Sequence, residues 1–201
     1  MSSAARTRDG NTAERILDVA EQLVQERGFN AFSYADIAAE LGITKAALHY
    51  HFASKAELGQ ALIDRYAARF AGALTDIDAA GGDAPARLHA YADLYLNVLR
   101  DQRMCLCGML AAEYRTLPEA VRSTLLEFFD DNEGWLAEVL ESGRSTGQLA
   151  FTGPARDVAR VVVASLEGAM LIARPYGDLG RFQVAATQLL AGLVAKASSP
   201  S

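Results

Sequence analysis

The chain has 201 residues, of which 51% are hydrophobic and 22% charged, a composition typical of a folded globular protein and not of a disordered one. Its net charge of −6 at pH 7 provides no general attraction to nucleic acid, so nucleic-acid binding would have to depend on where individual charges lie. With only Cys105 and Cys107, and no visible signal peptide or membrane span, the sequence excludes a disulfide-rich secreted framework and predicts a cytoplasmic protein.

Apolar residues recur at three- and four-residue spacing along most of the chain, which predicts an all-α fold of about nine helices. An N-terminal arm, residues 1–11, is expected to fray, as are residues 197–201. The first helix is predicted over residues 12–27 and ends at Gly28.

Two short helices are predicted next. Ser33 with Asp36 forms a Ser-x-x-Asp start for the first, which ends in a tight turn at Gly42. Thr44 caps the second, which covers residues 44–50. Further helices are predicted from Ser54 onward and at about 86–101, 104–114, 118–143, 154–174 and 179–196. The sequence shows no useful strand alternation and no internal repeat.

Two short helices joined by a tight turn have the pattern of a helix-turn-helix, in which the second helix enters the DNA major groove. Polar groups at the start of that helix favour phosphate, and its small residues allow a close approach to the bases. The candidate DNA-binding residues are Ser33, Tyr34, Thr44, Lys45, Ala47, His49, Tyr50, His51 and Lys55.

This segment resembles the DNA-binding signature of the TetR family of transcriptional repressors. The matching residues are Ser33, Asp36-Ile37-Ala38, Leu41-Gly42-Ile43, Thr44-Lys45, Leu48, Tyr50-His51-Phe52, Ser54-Lys55 and Glu57-Leu58. His49 departs from the pattern, because the family more often has Tyr there. The resemblance implies a DNA-binding domain over residues 1–53 and a ligand-binding and dimerisation domain over residues 54–201, connected by the helix that starts at Ser54.

The resemblance also implies a homodimer built from the last two helices, which would bind a palindromic double-stranded DNA operator. Both helices have wide apolar faces, part of which must serve the chain's own core. The candidate interface residues are Val158, Val161, Val162, Ser165, Leu166, Ala169, Phe182, Ala185, Leu189 and Leu193, and the first of the two apolar faces continues to Ile172.

The remaining helices are expected to enclose a pocket for a small, largely hydrophobic or aromatic inducer that releases the DNA. The candidate residues are Tyr66, Phe70, Tyr91, Tyr95, Cys105, Met109, Glu113, Phe128, Trp135, Glu167, Met170 and Arg174. Aromatic and Met residues at helical spacing are, however, mostly plain core. No metal site, catalytic residue, cofactor or membrane partner is predicted.

Two alternatives remain at this point. Cys105 resembles a thiol that senses electrophiles or oxidants in one branch of the family, although most thiols of this kind are small buried hydrophobes. A helical adaptor that binds no DNA is the second. A hydrolase is not among them: residues 143–147 match Gly-x-Ser-x-Gly by accident, since no strand is predicted before them and no His follows His89.

Overall fold

The computed structural model describes the backbone of residues 3–195 and the side chains of residues 11–195. Over that range the chain is helical and contains no strand, apart from an isolated antiparallel bridge between Leu149 and Val194. The helices are α1 Ser3–Arg27, α2 Tyr34–Leu41, α3 Lys45–His51, α4 Lys55–Ala80, α5 Ala84–Arg100, α6 Leu106–Ala112, α7 Glu119–Ser145, α8 Ala155–Ala173 and α9 Leu179–Ala191. Short 3-10 turns follow α1, α6 and α8, at Phe29–Ala31, Tyr114–Thr116 and Arg174–Tyr176. The predicted all-α fold is confirmed.

The chain forms two compact units. Of the described residues, the first unit holds those up to Ala68 together with Cys105–Leu126, and the second holds Arg69–Met104 together with those from Glu127 onward. The boundaries fall inside α4 and α7, so each of these long helices has one part in each unit. The functional division at residues 53 and 54 remains a proposal.

The first unit is built around α1, which packs against α2 and α6, while α2 packs against α3. The apolar residues of each helix fall on the side that faces its neighbours, as the three- and four-residue spacing predicts. Each fully buried aliphatic side chain stabilises the unit by about 1.5–3 kcal/mol relative to its exposed state. The core residues include Ile16, Ala20, Val24, Ile37, Leu48, Leu58, Leu62, Leu106 and Val121.

In the second unit α8 and α9 pack side by side, and α5 contacts both of them. Asp83 starts α5 by accepting a hydrogen bond from the Ala86 amide at 2.8 Å, and the proline that follows Ala84 suits the first turn of a helix. The core of this unit includes Leu88, Tyr91, Tyr95, Leu136, Val162, Leu166, Met170, Phe182 and Leu190.

Several helix ends differ from the sequence predictions. Helix α1 begins at Ser3 instead of about residue 12, so the described part of the N-terminal arm is helical. Helix α9 ends at Ala191, because the following backbone pairs with the α7–α8 connection: the Ala150 amide donates to the Leu193 carbonyl at 2.8 Å and the Ala195 amide to the Gln148 carbonyl at 3.0 Å. Residues 1–2 and 197–201, for which fraying was predicted, and residue 196, the predicted end of the last helix, lie outside the described residues.

No helix in the described part of the chain has the length and apolar character that crossing a membrane requires.

Candidate DNA-binding surface and effector region

Helix α3 lies on the surface of the first unit, held by its one buried residue. Helices α2 and α3 pack against each other, and Ile37 of α2 and Leu48 of α3 are both fully buried. Gly42 connects the two helices in the left-handed conformation, with φ 64° and ψ 33°, which a glycine adopts without strain. The opposite side of α3 carries Lys45, His49 and Tyr50, all exposed, with Tyr50 72% exposed. We call these three residues the α3 outer face.

The N-terminal turn of α3 is organised as the sequence predicts. Thr44 precedes the helix, and its hydroxyl accepts a hydrogen bond from the Ala47 amide at 3.1 Å. Lys45 is exposed in the first turn, and Ala47 is half-buried. This end of the helix therefore has the exposed ammonium of Lys45 beside backbone amides. Such an arrangement attracts phosphate.

Ser33 and Tyr34 hold the helices in place through hydrogen bonds within the protein. The Ser33 hydroxyl and amide both donate to the Asp36 carboxylate, at 2.7 and 2.6 Å, and these bonds hold the pKa of Asp36 below its ordinary value. The Tyr34 hydroxyl donates to the Phe52 carbonyl at 2.9 Å. Burial, and secondarily the charge of Glu57, raises the pKa of Tyr34 to about 12. Both hydroxyls thus donate within the protein, and the assignment of Ser33 and Tyr34 to DNA binding stays a prediction.

The C-terminal turn of α3 carries three rings. His49 lies against Tyr34, with ring centroids 4.7 Å apart, and its Nδ1 is 3.2 Å from the Ala53 carbonyl oxygen. Tyr50 and His51 meet edge to face at 5.2 Å, and His51 is half-buried. His49 and Tyr50 are therefore both presented outward, although only His49 is fixed by a bond to the backbone.

Lys55, for which the sequence predicts a phosphate contact, has its partners within the first unit. Its ammonium donates to the Phe32 carbonyl and lies 4.2 Å from the centroid of the Phe32 ring and 4.9 Å from that of Phe29. Burial lowers the pKa of Lys55, an effect that the charges of Glu113 and Asp36 oppose. The side chain is directed into the first unit because a backbone carbonyl and two aromatic faces together replace its hydration.

Glu113 also differs from its predicted role as a polar group of the inducer pocket. Its carboxylate accepts hydrogen bonds from the Phe29 amide at 2.5 Å and from the Asn30 amide at 3.3 Å. The Asn30 side chain donates to the Thr116 hydroxyl at 2.7 Å. Gly28, with φ 97°, leaves room for the carboxylate, since a Cβ there would lie 3.0 Å from a Glu113 oxygen. The end of α6 is thus fastened to the turn between α1 and α2.

A second polar cluster joins α4 to α1. The Arg65 guanidinium contacts carboxylates on three successive turns of α1: Glu14 at 3.0 Å, Asp18 at 2.8 Å and Glu21 at 2.9 Å. The Arg65 side chain is 15% exposed and that of Glu21 is 11% exposed, so this last pair is largely removed from water. Sequence analysis missed this cluster, although Glu14, Asp18 and Glu21 fall on one helix face at the spacing that would have indicated it.

Within the first unit, Cys105 immediately precedes α6 and is 1% exposed, and the hydroxyl of the buried Tyr66 donates to its sulfur at 3.6 Å. Met109 is half-buried on the same short helix. Cys107 is fully buried. Of the predicted effector residues, Tyr66, Cys105 and Met109 therefore lie in the first unit. Glu113 lies there too, but its carboxylate binds the turn after α1.

In the second unit, five of the predicted effector residues form one aromatic cluster: Phe70, Tyr91, Tyr95, Phe128 and Trp135. Neighbouring ring centroids lie 5.1–6.1 Å apart, and Trp135 stacks on Tyr91 at an interplanar angle of 21°. Tyr91, Tyr95 and Phe128 are buried, so the rings of the cluster pack mainly against one another.

The polar groups of this cluster include Asn132, which the sequence analysis missed. Its side chain is buried, accepts from the Tyr91 hydroxyl at 3.3 Å and donates to the Phe128 carbonyl at 2.7 Å. The Tyr91 and Tyr95 hydroxyls are 2.9 Å apart. An Asn on the apolar face of α7, four residues after Phe128 and four before Leu136, was the signal in the sequence.

The other predicted effector residues of the second unit are dispersed. Met170 is fully buried in the core, and Glu167 is half-buried one turn earlier on α8. Arg174 follows the end of α8 and lines a small cavity with Gln102 and Asp178. None of the residues that line this cavity belongs to the aromatic cluster.

Comparison with known proteins gives the family. Residues 16–62 match a family model described as bacterial regulatory proteins, tetR family, and residues 84–189 match one described as a tetracyclin repressor-like C-terminal domain. The HTH-type transcriptional repressor NemR of Escherichia coli strain K12 is 30% identical over 168 residues, which cover 82% of this chain and 84% of NemR. The chain belongs to the TetR family of transcriptional regulators.

Other similar proteins and solved structures support the same family assignment. The HTH-type transcriptional repressor BepR of Brucella suis is 30% identical over 164 residues, 78% of each chain. A crystal structure of a TetR-family regulator from Agrobacterium tumefaciens matches with a TM-score of 0.90 and 34% identity, covering 93% of this chain and all of the other. The reduced form of E. coli NemR matches with a TM-score of 0.80 and 27% identity over the same shares.

The TetR-family chain is accordingly a transcriptional regulator and not an enzyme. The Gly-x-Ser-x-Gly match at residues 143–147 lies at the end of α7, and the described residues before it contain no strand. Ser145 is in the last turn of that helix, and its hydroxyl donates to the Ser142 carbonyl at 2.8 Å. The helix continues to Ser145, two residues beyond the predicted end, so Ser145 is helical and not in the predicted loop.

The predicted dimer residues divide into two groups in the structure of the TetR-family chain. Val162, Leu166 and Phe182 are buried in the chain's own core, which corrects their assignment to the dimer interface. Leu193 is half-buried and lies beyond the end of α9. Val158 and Leu189 are half-buried. The others lie on or beside an open groove between α8 and α9, lined by Ser165, Gly168, Ala169, Ile172, Asp178, Gly180, Arg181, Val184 and Ala185. We call this the α8–α9 groove.

The α8–α9 groove carries an unusual amount of exposed apolar surface. Val161, one turn before Ser165, is 56% exposed, Ile172 is 60% exposed and Val184 is 65% exposed. Val184 was missed because it falls outside the three- and four-residue spacing of the core-facing side of α9, which carries Phe182, Ala186 and Leu190. The spacing of apolar residues in the sequence identifies the side of α9 that faces the chain's own core. Exposed apolar residues on the other side can be identified only from the structure.

Proposed function

We propose that this TetR-family regulator binds a palindromic DNA operator as a dimer and represses transcription until a small, largely hydrophobic or aromatic inducer releases it. The observation that carries the DNA-binding part is the α3 outer face, Lys45, His49 and Tyr50, exposed on a helix whose other side is fixed by Leu48. A helix held in this way by a partner helix is the part of a helix-turn-helix that enters the major groove.

DNA binding is tested with matched tyrosine variants and duplex DNA from immediately upstream of the chain's own coding sequence. Tyr50 is 72% exposed on α3, and Tyr114 is 36% exposed in the turn after α6. Tyr50→Ala should weaken binding about tenfold or more, because it removes a groove contact, while Tyr114→Ala should bind as the wild type does. Wild-type affinity in both Tyr50→Ala and Lys45→Ala would refute the assignment of α3 as the recognition helix.

The α8–α9 groove supports the proposal of a dimer. An exposed apolar face on a soluble helix pair favours burial against another protein, and small residues such as Gly168 and Ala169 allow close helix approach. A second copy of the chain is the occupant that the family relationship favours, since two recognition helices must be set about 34–36 Å apart to reach successive major grooves.

The aromatic cluster of the second unit supports the proposal of an aromatic inducer. Its rings provide apolar contact area, and the Tyr91, Tyr95 and Asn132 side chains provide hydrogen-bonding groups that would orient a ligand. An inducer releases DNA only if it binds the two conformations of the regulator with different affinity. Tyr66, Met109, Glu167, Met170 and Arg174 remain candidate contacts.

The inducer proposal is tested by adding small aromatic acids, phenols and amines to the regulator bound to its upstream DNA. A true inducer should lower DNA affinity and raise the thermal unfolding temperature of the DNA-free protein, because it binds the folded state alone. Tyr91→Phe should weaken both effects for a ligand that hydrogen-bonds to the cluster. If both effects persist unchanged in Tyr91→Phe and in Trp135→Ala, the inducer binds elsewhere.

Thiol sensing at Cys105 is the second candidate function. In its favour, the Tyr66 hydroxyl donates to the Cys105 sulfur, and such a donor stabilises a thiolate. The burial of Cys105 opposes it, since an oxidant or electrophile needs access to the sulfur. Iodoacetamide labelling of the native protein followed by mass spectrometry decides the matter: modification of Cys105 accompanied by loss of DNA binding would support sensing, and labelling only after unfolding would exclude it.

A further inference from the structure

His49 is held more firmly than its exposure alone would indicate. One face of the ring lies against Tyr34 of α2, with centroids 4.7 Å apart, and Nδ1 is 3.2 Å from the Ala53 carbonyl oxygen in the turn after α3. Tyr34 is itself fixed by its bond to the Phe52 carbonyl. The orientation of the imidazole is therefore set by the protein before any DNA is bound.

This arrangement determines which nitrogen of His49 carries the proton. A backbone carbonyl oxygen is only a hydrogen-bond acceptor, so the bond to Ala53 requires the proton on Nδ1. In the neutral imidazole the other nitrogen, Nε2, then has a lone pair and no proton, and it too can only accept. Phosphate oxygens are likewise acceptors, so a neutral His49 has no hydrogen bond to offer a DNA phosphate.

A phosphate is nevertheless the partner that the position of His49 favours. Recognition helices contact base edges mainly through their N-terminal residues, and His49 is in the last turn of α3. The C-terminal end of a helix stabilises a positive charge. Lys45 lies one turn earlier on the same outer face and would attract the same polyanion.

The charged and titratable groups around His49 are few. From α2 there is Tyr34, a neutral phenol whose pKa burial raises further, to about 12. From the start of α4 there is the Glu57 carboxylate, which accepts from the Ala53 amide at 2.9 Å, whereas the ammonium of Lys55 is directed to the Phe32 carbonyl. From α3 itself there are Lys45, Tyr50 and His51, which lie within four residues of His49.

We propose that His49 binds a DNA phosphate as the imidazolium, so that each subunit takes up a proton at Nε2 when the regulator binds DNA. Nδ1–H then continues to donate to Ala53 while Nε2–H donates to the phosphate oxygen. The inference rests on the proposed function. The family more often has Tyr at this position, and a Tyr hydroxyl donates to phosphate without changing its charge. The presence of His49 therefore makes DNA binding depend on proton uptake.

The experiment measures affinity for the upstream duplex between pH 6 and pH 8.5 at constant ionic strength, by fluorescence anisotropy. Histidine side chains exchange their proton within this range. The wild-type affinity should fall as the pH rises, with a limiting slope of about one decade per pH unit for each proton taken up, by linkage. His49→Gln, whose amide donates without titrating, should bind DNA with most of this slope removed. His89→Gln, which changes an exposed histidine on α5 of the second unit, is the matched control and should retain the slope.

Calorimetry in two buffers of different ionisation enthalpy gives an independent count of protons taken up on binding. The wild type should take up protons at pH 7.5 and His49→Gln should take up fewer. Equal slopes in the wild type and His49→Gln, or equal wild-type affinity at pH 6 and pH 8, would overturn the inference while leaving DNA binding established. Absence of wild-type binding at every pH would refute the proposed function itself.

Discussion

The two lysines that flank the recognition segment show how strongly the surroundings of one side chain decide its role. Lys45 is exposed in the first turn of α3, whereas Lys55 donates to the Phe32 carbonyl and lies over two aromatic rings. Sequence placed both at helix starts and therefore assigned both to phosphate. The structure distinguishes the two lysines, because the carbonyl of Phe32 and the two aromatic rings are brought to Lys55 only in the folded chain.

Salt dependence distinguishes the two lysines. For Lys45→Ala, the slope of log K against log salt concentration should become shallower by about one per subunit in contact with DNA, because one phosphate contact and its released counterion are lost. For Lys55→Ala the slope should stay at its wild-type value, and the free energy of unfolding should fall by about 1–2 kcal/mol, through loss of a hydrogen bond and cation–π contacts. Titrations at several salt concentrations and urea unfolding provide both readouts. A shallower slope in Lys55→Ala would restore its assignment to phosphate.

At the scale of the helices, two polar clusters hold the first unit together. Each of them links segments that are distant in the sequence. Arg65 of α4 binds three carboxylates of α1, and Glu113 at the end of α6 binds two backbone amides after α1. Both clusters constrain α1, which in turn packs against α2, the support of the recognition helix. The orientation of the DNA-binding helices thus depends on polar contacts as well as on the apolar core.

Arg65→Gln should lower the free energy of unfolding by about 2 kcal/mol, because the largely buried Glu21 loses its compensating charge. Arg160 on α8 offers a matched control: it contacts Glu133 at 3.3 Å and Asp157 at 2.9 Å, but its side chain is 58% exposed. Arg160→Gln should change stability by less than about 0.5 kcal/mol. Urea unfolding curves measure both variants, and equal effects would show that the Arg65 cluster stabilises no more than a surface ion pair.

Removing the Glu113 carboxylate should release the turn between α1 and α2. Glu113→Ala leaves the Phe29 and Asn30 amides without their acceptor and should cost about 1–3 kcal/mol of stability. Hydrogen exchange at these two amides should become faster, while exchange in the middle of α1 changes less. Glu127→Ala, at an exposed position of α7, is the control and should leave exchange at Phe29 unchanged. Unaltered protection of Phe29 in Glu113→Ala would contradict the role given to the carboxylate.

At the scale of the whole molecule, the most informative surface is the α8–α9 groove. Its apolar side chains are exposed although α8 and α9 also supply a buried core on their other sides. The exposed side chains of Val161, Ile172 and Val184 do not stabilise a monomer. If the same face of a second copy of the chain packed against them, all three would be buried. The oligomeric state is therefore the property of the whole molecule that most directly tests the proposed function.

Ile172→Asp should convert the regulator to a monomer, because it places a charge in the proposed apolar interface. A penalty of about 3 kcal/mol would raise the dimer dissociation constant roughly 100-fold. Leu126→Asp changes a residue of similar exposure, 53%, on α7 and should leave the dimer intact. Light scattering after size-exclusion chromatography measures the mass, and circular dichroism confirms that both variants are folded. A dimeric Ile172→Asp would move the interface elsewhere on the chain.

Much of the local structure could be predicted from the sequence because its causes are local. Ser33 with Asp36, Gly42 and Thr44 set the ends of α2 and α3 through contacts within a few residues, and those helix bounds were predicted to within about one residue. Helix α9 was predicted too long, because its end depends on pairing with residues 148–150, far away in the chain.

The sequence by itself determined that the chain is all-α, that it contains a helix-turn-helix, and that it resembles the TetR family, since periodicity, capping and a local signature all reside in consecutive residues. The tertiary structure decided which polar side chains are bound within the protein and which stay exposed. Tyr34, Lys55 and Glu113 are polar residues whose partners lie 18, 23 and 84 residues away. A hydrogen bond depends on distance in space, and only the packed helices bring those partners together.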